Sequence, residues 1–137
     1  MASSVRLEII TPSKKFYQGD VELVIVRTLE GDEGFMKGHA WACKLLDIGE
    51  IQEKGAAKNS YKVAAIAGGF IDVKDTIIIY TDAVEWAEDI DMERVNAEKS
   101  RAEEWLRDHE SDGTPDEILR ARTSIAKAEL RADVAGG

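Results

Sequence analysis

The residues best equipped for chemistry in this chain are few and badly placed for it. His39 and Cys43 stand four apart, as a pair of metal ligands could, but no second pair accompanies them and the sequence after Trp41 reads as extended. His39 therefore reads as a loop histidine at an interface or in solvent, and Cys43 as a small buried hydrophobe. With only two histidines, no Ser-His-Asp constellation assembles. Glu98, Glu103 and Glu104 are close enough in sequence to form a carboxylate pair, yet charge-rich helical sequence ordinarily presents a solvated face. The run Gly31-Asp-Glu-Gly-Phe-Met-Lys-Gly-His39 carries three glycines but lacks the Walker spacing and its Lys-Ser/Thr, and no strong helix follows it. An enzyme acting alone is disfavoured, and no metal site is expected. What remains is charge. Arg120, Arg122, Lys127 and Arg131 extend along about three helical turns, a positive strip on a protein of net charge −9 that can pair with acidic partner segments.

The elements that must position these residues change character near Asp89. Residues 1–88 are punctuated by glycine and read with a period of two; residues 89–137 are charged, alanine-rich and read with a helical period. The spacing predicts a β strand over Val5, Leu7 and Ile9, closed by Thr11-Pro12-Ser13, then a second around Lys15 to Gln18. A third, from Val21 to Arg27, would be buried on both sides. Lys44 to Ile51 reads as two short pieces broken at Gly49. Tyr61 to Val73 bends at Gly68-Gly69, and Ile77 to Tyr80 follows a turn at Asp75. Short strands at this spacing suggest an antiparallel sandwich or barrel. In the second segment Asp91 caps a helix with an apolar stripe of Met92, Val95, Ala102, Trp105 and Leu106. Thr114-Pro115-Asp116-Glu117 starts another with a capping box, its stripe being Ile118, Ala121, Ile125, Ala128 and Ala132. The expected fold is thus an N-terminal antiparallel β-sandwich (1–88) and a C-terminal antiparallel two-helix hairpin (89–137). Small residues on the helical stripes leave the arm weakly held, so a ligand or a partner could move it.

At 137 residues the chain holds one core and an appendage. Residues 1–88 carry 10 basic against 14 acidic side chains and residues 89–137 carry 8 against 13, so neither part offers the clustered cations that nucleic acid requires. A single cysteine excludes an intrachain disulfide and suits a reducing compartment. The first residues resemble neither a signal peptide nor an organelle transit peptide, and the best apolar runs fall short of the ~20 residues of a membrane helix. Membrane association, if it occurs, is expected to go through a protein partner.

Four pieces, in order and spacing, carry a resemblance. They are Leu7-Glu-Ile-Ile-Thr-Pro12, Gly31-x-x-Gly34 with Gly38-His39-Ala40, Gly68-Gly69-Phe70-Ile-Asp-Val73, and Ile90-Asp91-x-x-Arg94. Together they resemble, essentially end to end, the epsilon subunits of bacterial F-type ATP synthases. The resemblance implies a non-catalytic rotor subunit, peripheral on the cytoplasmic face of the plasma membrane. Its sandwich would bind the gamma subunit and the c-ring, and its hairpin would regulate the catalytic alpha/beta head. No cofactor is obligatory, and ATP is implied as a regulatory ligand. Implied nucleotide contacts are Glu85, Ile90, Asp91, Arg94, Arg101, Lys127 and Arg131. Implied gamma and c-ring contacts are Asp32, Glu33, Gly38, His39 and Trp41, and Arg120, Arg122, Lys127 and Arg131 would meet the head. Val95 stands where the junction motif has alanine, Lys127 where an arginine is expected, and Met36-Lys37-Gly38-His39-Ala40-Trp41-Ala42 lacks two prolines common in relatives. The alternatives are a purely structural coupling subunit with a fixed hairpin and no ATP sensing, and a free-standing small-molecule-binding β module.

Overall fold

Alternation of branched apolar residues with polar ones builds the first of two compact units, residues 1–87; residues 88–137 form the second. The computed structural model describes residues 3–56 and 58–136. Met1, Ala2 and Gly137, which the two segments read from the sequence include at their ends, lie outside the described residues.

Seven strands form the first unit: β1 (Val5–Ile10), β2 (Lys15–Thr28), β3 (Gly31–Phe35), β4 (Ala42–Gly55), β5 (Tyr61–Val73), β6 (Ile77–Tyr80) and β7 (Val84–Trp86). The sheet runs β1-β6-β5-β4-β2-β3, with β7 on β5, and a further β1–β2 pairing closes a five-strand ring. Pairing is antiparallel except between β1 and β6, which run parallel. Leu7, Ile9, Val21, Val24, Val26, Phe35, Ile51, Ile71, Val73, Ile77 and Ile79 are buried inside this ring and form its core.

Four sequence expectations change. Lys15 to Thr28 is one strand, because its first half pairs with β1 while its second half pairs with β3 and β4. A register shift between Val21 and Leu23 moves the buried set to Val21, Val24 and Val26, leaving Leu23 and Ile25 half-buried. Gly49 does not break β4; a Cβ there would lie 2.7 Å from the Arg27 Cβ, so glycine serves close strand approach. The glycine run 31–35 is also strand, entered at Gly31 with φ +121° and tied by the Thr28 hydroxyl, which donates to the Gly31 carbonyl (2.8 Å) and accepts from the Glu30 amide (3.1 Å). The Gly68-Gly69 bend is present, but β5 continues through it with φ of +88° and +126°.

In the second unit α1 (Met92–Asp108) and α2 (Pro115–Gly136) form an antiparallel hairpin. Oδ1 of Asp91 accepts from the amides of Glu93 (3.0 Å) and Arg94 (3.3 Å). The Thr114–Glu117 capping box is reciprocal: the Thr114 amide donates to Glu117 Oε1 (3.0 Å) and the Glu117 amide to Thr114 Oγ1 (3.2 Å). These bonds hold the Glu117 carboxyl below its usual range. Val95, Ala121, Ala128 and Val134 are the buried apolar residues of the arm; Met92, expected on the stripe, is exposed. No described helix is long and apolar enough to cross a membrane.

Candidate functional site

Residues recurring at i, i+4, i+7 and i+11 share one helix face, and in the arm that rule brings two stripes together. Arg94, Glu98, Arg101 and Trp105 run along α1; Arg120, Ser124, Lys127 and Arg131 run along α2. Glu98 joins them. Its Oε1 accepts from Arg94 Nε (3.1 Å) and its Oε2 from an Arg131 terminal nitrogen (2.8 Å), while Lys99 lies 3.6 Å from Glu129. Hydrogen bonds from Arg94 and Arg131 hold the Glu98 carboxyl below the usual range against the opposing effect of its partial burial.

Between the stripes lies a groove of about 540 Å³ lined by Glu98, Arg101, Trp105, Arg120, Lys127 and Arg131, with Ala102, Glu117, Ala121 and Ser124 completing the walls. That volume is within the range of small-molecule sites, roughly 300–1,000 Å³. Four cations face two carboxylates, leaving a net +2 in a chain of net −9. Arg101, Arg120 and Lys127 form no ion pair among the described residues, and one of the two carboxylates, Glu117, is committed to its helix cap. Such a surface attracts a multiply charged anion.

The hairpin turn borders the groove at Trp105. Trp105 stacks on His109 with ring centroids 4.5 Å apart and planes 10° from parallel, and His109 Nδ1 lies 2.8 Å from the Trp105 carbonyl oxygen. Gly113 sits beneath this pair: a Cβ there would lie 2.8 Å from the His109 carbonyl oxygen and 3.3 Å from the indole.

Of the nucleotide contacts read from the sequence, the groove gathers Arg101, Lys127 and Arg131. Ile90, Asp91 and Arg94 lie at the start of α1 outside its lining; Asp91 is the helix cap, and Arg94 is bonded to Glu98 of the lining. Glu85 belongs to the β unit, on β7 opposite Ala65. The expected four-cation strip is three cations long, because Arg122, two residues or about 200° past Arg120, leaves the face that lines the groove. Trp105 and Arg120, which the sequence offered as a stripe residue and a partner contact, are both part of the groove.

In the β unit, Asp32 of β3 is paired with Arg27 of β2 (3.1 Å) and Glu33 of β3 with Lys44 of β4 (2.7 Å), so both carboxylates have cations from other strands of the sheet. Gly38 takes φ +86°, His39 meets the Phe35 ring edge-on at 4.6 Å, and Trp41 is 67 % exposed. Cys43 is exposed, not buried, because it alternates with the inward Leu46 on the same outward face as Leu45. That face carries an apolar row the sequence reading missed. The Leu29 amide bonds the Leu45 carbonyl (3.4 Å), Leu45 pairs with Phe70, and Phe70 stacks on Tyr80 at 4.7 Å. Leu29 and Leu45 are both 63 % exposed. No group of three potential metal ligands occurs among the described residues.

Residues 4–87 match the β-sandwich domain of the ATP synthase delta/epsilon chain, and residues 88–136 match its long α-helix domain. The chain belongs to the ATP synthase epsilon family. It is 38% identical over 137 residues to the ATP synthase epsilon chain of Caldanaerobacter subterraneus subsp. tengcongensis, covering 98% of this chain and 96% of that one. To the epsilon chain of Alkaliphilus metalliredigens it is 47% identical over 107 residues, covering 77% and 78%. A chain in the mitochondrial ATP synthase of Euglena gracilis, solved as OSCP/F1/c-ring, shares the fold with a TM-score of 0.80 at 20% identity, covering 98% of this chain and 82% of that one. Epsilon-family membership and the fold read from the sequence, a β-sandwich followed by two helices, are thus established.

Proposed function

We propose that this chain is a regulatory rotor subunit: its β unit attaches to the gamma subunit and the c-ring, and its arm senses ATP and brakes ATP hydrolysis. Catalysis belongs to other subunits, and the protein sits at the membrane periphery through its partners. Supporting the attachment are the exposed Trp41 beside Gly38 and His39, the apolar Leu29–Leu45 row, and the c-ring assembly that holds the structural neighbour.

The observation that carries ATP sensing is the sharing of cations. Arg101, Arg120, Lys127 and Arg131 line one groove, and the last three are the groups an opened α2 would present to acidic segments of the alpha/beta head. A nucleotide bound there bridges α1 to α2 and neutralises those groups together. Ligand at a hundredfold excess over its Kd adds about 2.7 kcal/mol to the closed form, a sizeable bias on a hairpin whose buried apolar residues are two alanines and two valines. Low ATP then frees α2 to contact the head. In this reading Asp91 acts by fixing the start of α1, which orients Arg94 toward Glu98.

Calorimetric titration of the chain with ATP tests the site: the parent is expected to bind in the millimolar range or tighter, and Arg101→Ala to lose about tenfold. In the reconstituted complex, alanine at Arg120, Lys127 and Arg131 together should speed ATP hydrolysis with the subunit still attached. A second reading, a fixed structural hairpin, draws on the Glu98–Arg131 and Lys99–Glu129 ties between the helices. It requires that removing the arm leave hydrolysis unchanged.

A further inference from the structure

We propose that Glu53 is a buried proton-binding site of the β unit, and that its ionisation draws the Lys62 ammonium off the indole of Trp86 and onto the carboxylate. Residues two apart on a strand share a face, and Glu53 follows the buried Ile51 on β4, so a carboxyl stands where the alternation calls for an apolar side chain. Its Oε2 has no hydrogen-bond partner. The groups around it come from three elements. Tyr17 of β2 is hydrogen-bonded to the carboxyl, with Asp20 of the same strand acting on that phenol; Lys62 is on β5, and Lys58 is in the β4–β5 turn. Lys54, next to Glu53 on β4, is paired with Glu22. Burial holds the Glu53 carboxyl above its usual range against the opposing pull of Tyr17 and the two lysines.

The position of Lys62 is what makes this acid more than a misplaced charge. Glu53 and Lys62 are directly opposite in the β4–β5 register and leave the sheet on one face, about 5 Å apart at Cβ. An ammonium so placed ordinarily takes a buried carboxylate. The Lys62 Nζ instead stands 4.0 Å from the centre of the Trp86 ring, the arrangement that a neutral Glu53 permits. Phe16 and Tyr17 pack on the same indole with centroids 5.0 and 5.7 Å away, so Tyr17 touches both the carboxyl and the ring. Once Glu53 is ionised, a buried charge pair outweighs a cation–π contact on a half-exposed ring, and the ammonium changes partner. Trp86 ends β7, a three-residue strand paired with β5, and the chain then enters Ala87–Asp89 on its way to α1. Loss of the proton thus removes a cation that links β5 to the last strand before the arm, and its return restores that link.

Two probes on the full chain follow the proton and the cation separately. Carbon-13 NMR of labelled glutamate carboxyls reads Glu53 itself, and a Trp41→Phe/Trp105→Phe background leaves Trp86 as the only indole for fluorescence. The expected result is a Glu53 resonance that titrates above the ordinary glutamate value of about 4.3, with a change in Trp86 emission at the same midpoint. Lys62→Met should shift the Glu53 titration to higher pH and abolish the emission change. Tyr17→Phe should also shift it upward, because the phenol's hydrogen bond favours the ionised form, with Trp86 still following. Glu53→Gln should leave Trp86 emission flat across the same range. A Glu53 carboxyl that titrates at or below the ordinary value overturns the proton site. An emission change that persists in Glu53→Gln, or emission that stays constant while Glu53 titrates in the parent, overturns the coupling to Trp86. Should Glu53→Gln fail to fold, Lys62→Met decides: emission that no longer follows Glu53 supports the exchange of partners, and emission that still follows it overturns it.

Discussion

Glu98 ties α1 to α2 through Arg131 and lines the same groove as the cations Arg101, Arg120 and Lys127, and Glu98→Gln separates its two effects. The substitution keeps the shape and one amide oxygen but removes the charge that ties Arg94 (3.1 Å) and Arg131 (2.8 Å). Side chains of Glu98 and Arg131 are 35% and 26% exposed, so each pair contributes about 0.2–1 kcal/mol, and the hairpin is expected to lose about 1 kcal/mol. The ligand gains instead. Removing one negative charge about 8 Å from a bound phosphate is worth about 0.5 kcal/mol at the dielectric of water and about 2 kcal/mol at an effective dielectric of about 20. ATP affinity should therefore rise roughly two- to thirtyfold. Arg131, released from its partner, adds to the same direction. Calorimetry at about 0.1 M and about 1 M salt, where the screening length falls from about 10 to about 3 Å, should show the gain shrinking as salt rises. Weaker ATP binding by Glu98→Gln at both salt concentrations would refute this account, because Glu98 would then be holding Arg131 in its productive position and not competing for it.

Three further outcomes follow from particular residues. Gly69→Ala places a Cβ 1.9 Å from the Tyr80 carbonyl oxygen at φ +126° and should cost about 2 kcal/mol or more, whereas Gly38→Ala, at φ +86° with open space around it, should cost about 1 kcal/mol; urea unfolding orders the two, and equal losses would contradict the clash. Glu53 is buried in β4 with Oε2 unpartnered and its carboxyl raised by that burial, next to a Tyr17 phenol pushed up to about 12 by burial and by Glu53 itself. A raised acid costs nothing while protonated in both states and weighs against folding as pH climbs through its folded value. Glu53→Gln should thus stabilise the β unit by about 1 kcal/mol at neutral pH and not at all below about pH 4, and a gain that persists in acid would be inconsistent with ionisation as its cause. Asp91→Asn, which retains a good cap, should leave hairpin stability and ATP affinity near parental values, while Asp91→Ala costs the hairpin about 1 kcal/mol; a large ATP loss in Asp91→Asn would make the carboxylate a ligand contact.

The sequence was most legible where one local rule acts alone. The Asp91 cap, the Thr114–Glu117 box and the alternation of Val5, Leu7 and Ile9 each depend on neighbours a few residues away, and each is present. Legibility failed where a long-range partner rewrote the local signal. Gly49 looks like a strand break until Arg27 of β2 is seen against it. Cys43 looked buried because cysteine usually is, but β4 sets Leu46 inward and so turns Cys43 and Leu45 out. In the arm, the four cations were visible as a run, and the 100° step of a helix, counted from Arg120, removes Arg122 from the strip.

The same helical arithmetic bears on how regulation could work without a signal passing through the protein. If Arg120, Lys127 and Arg131 serve both a bound nucleotide and an acidic partner, the two events exclude each other at the level of the side chains, and the coupling free energy is at most what those three cations contribute to either one. Exposed ion pairs contribute below ~1 kcal/mol each, so three give a coupling of a few kcal/mol at most, graded and sensitive to salt. Lysine at position 127 lowers that ceiling on both sides at once, since it lacks the planar fork that grips phosphate and carboxylate alike. Lys127→Arg is therefore expected to tighten ATP binding and inhibition together. A change in one without the other, measured as ATP affinity of the chain and hydrolysis rate of the complex, would mean that the nucleotide and the head use different faces of α2.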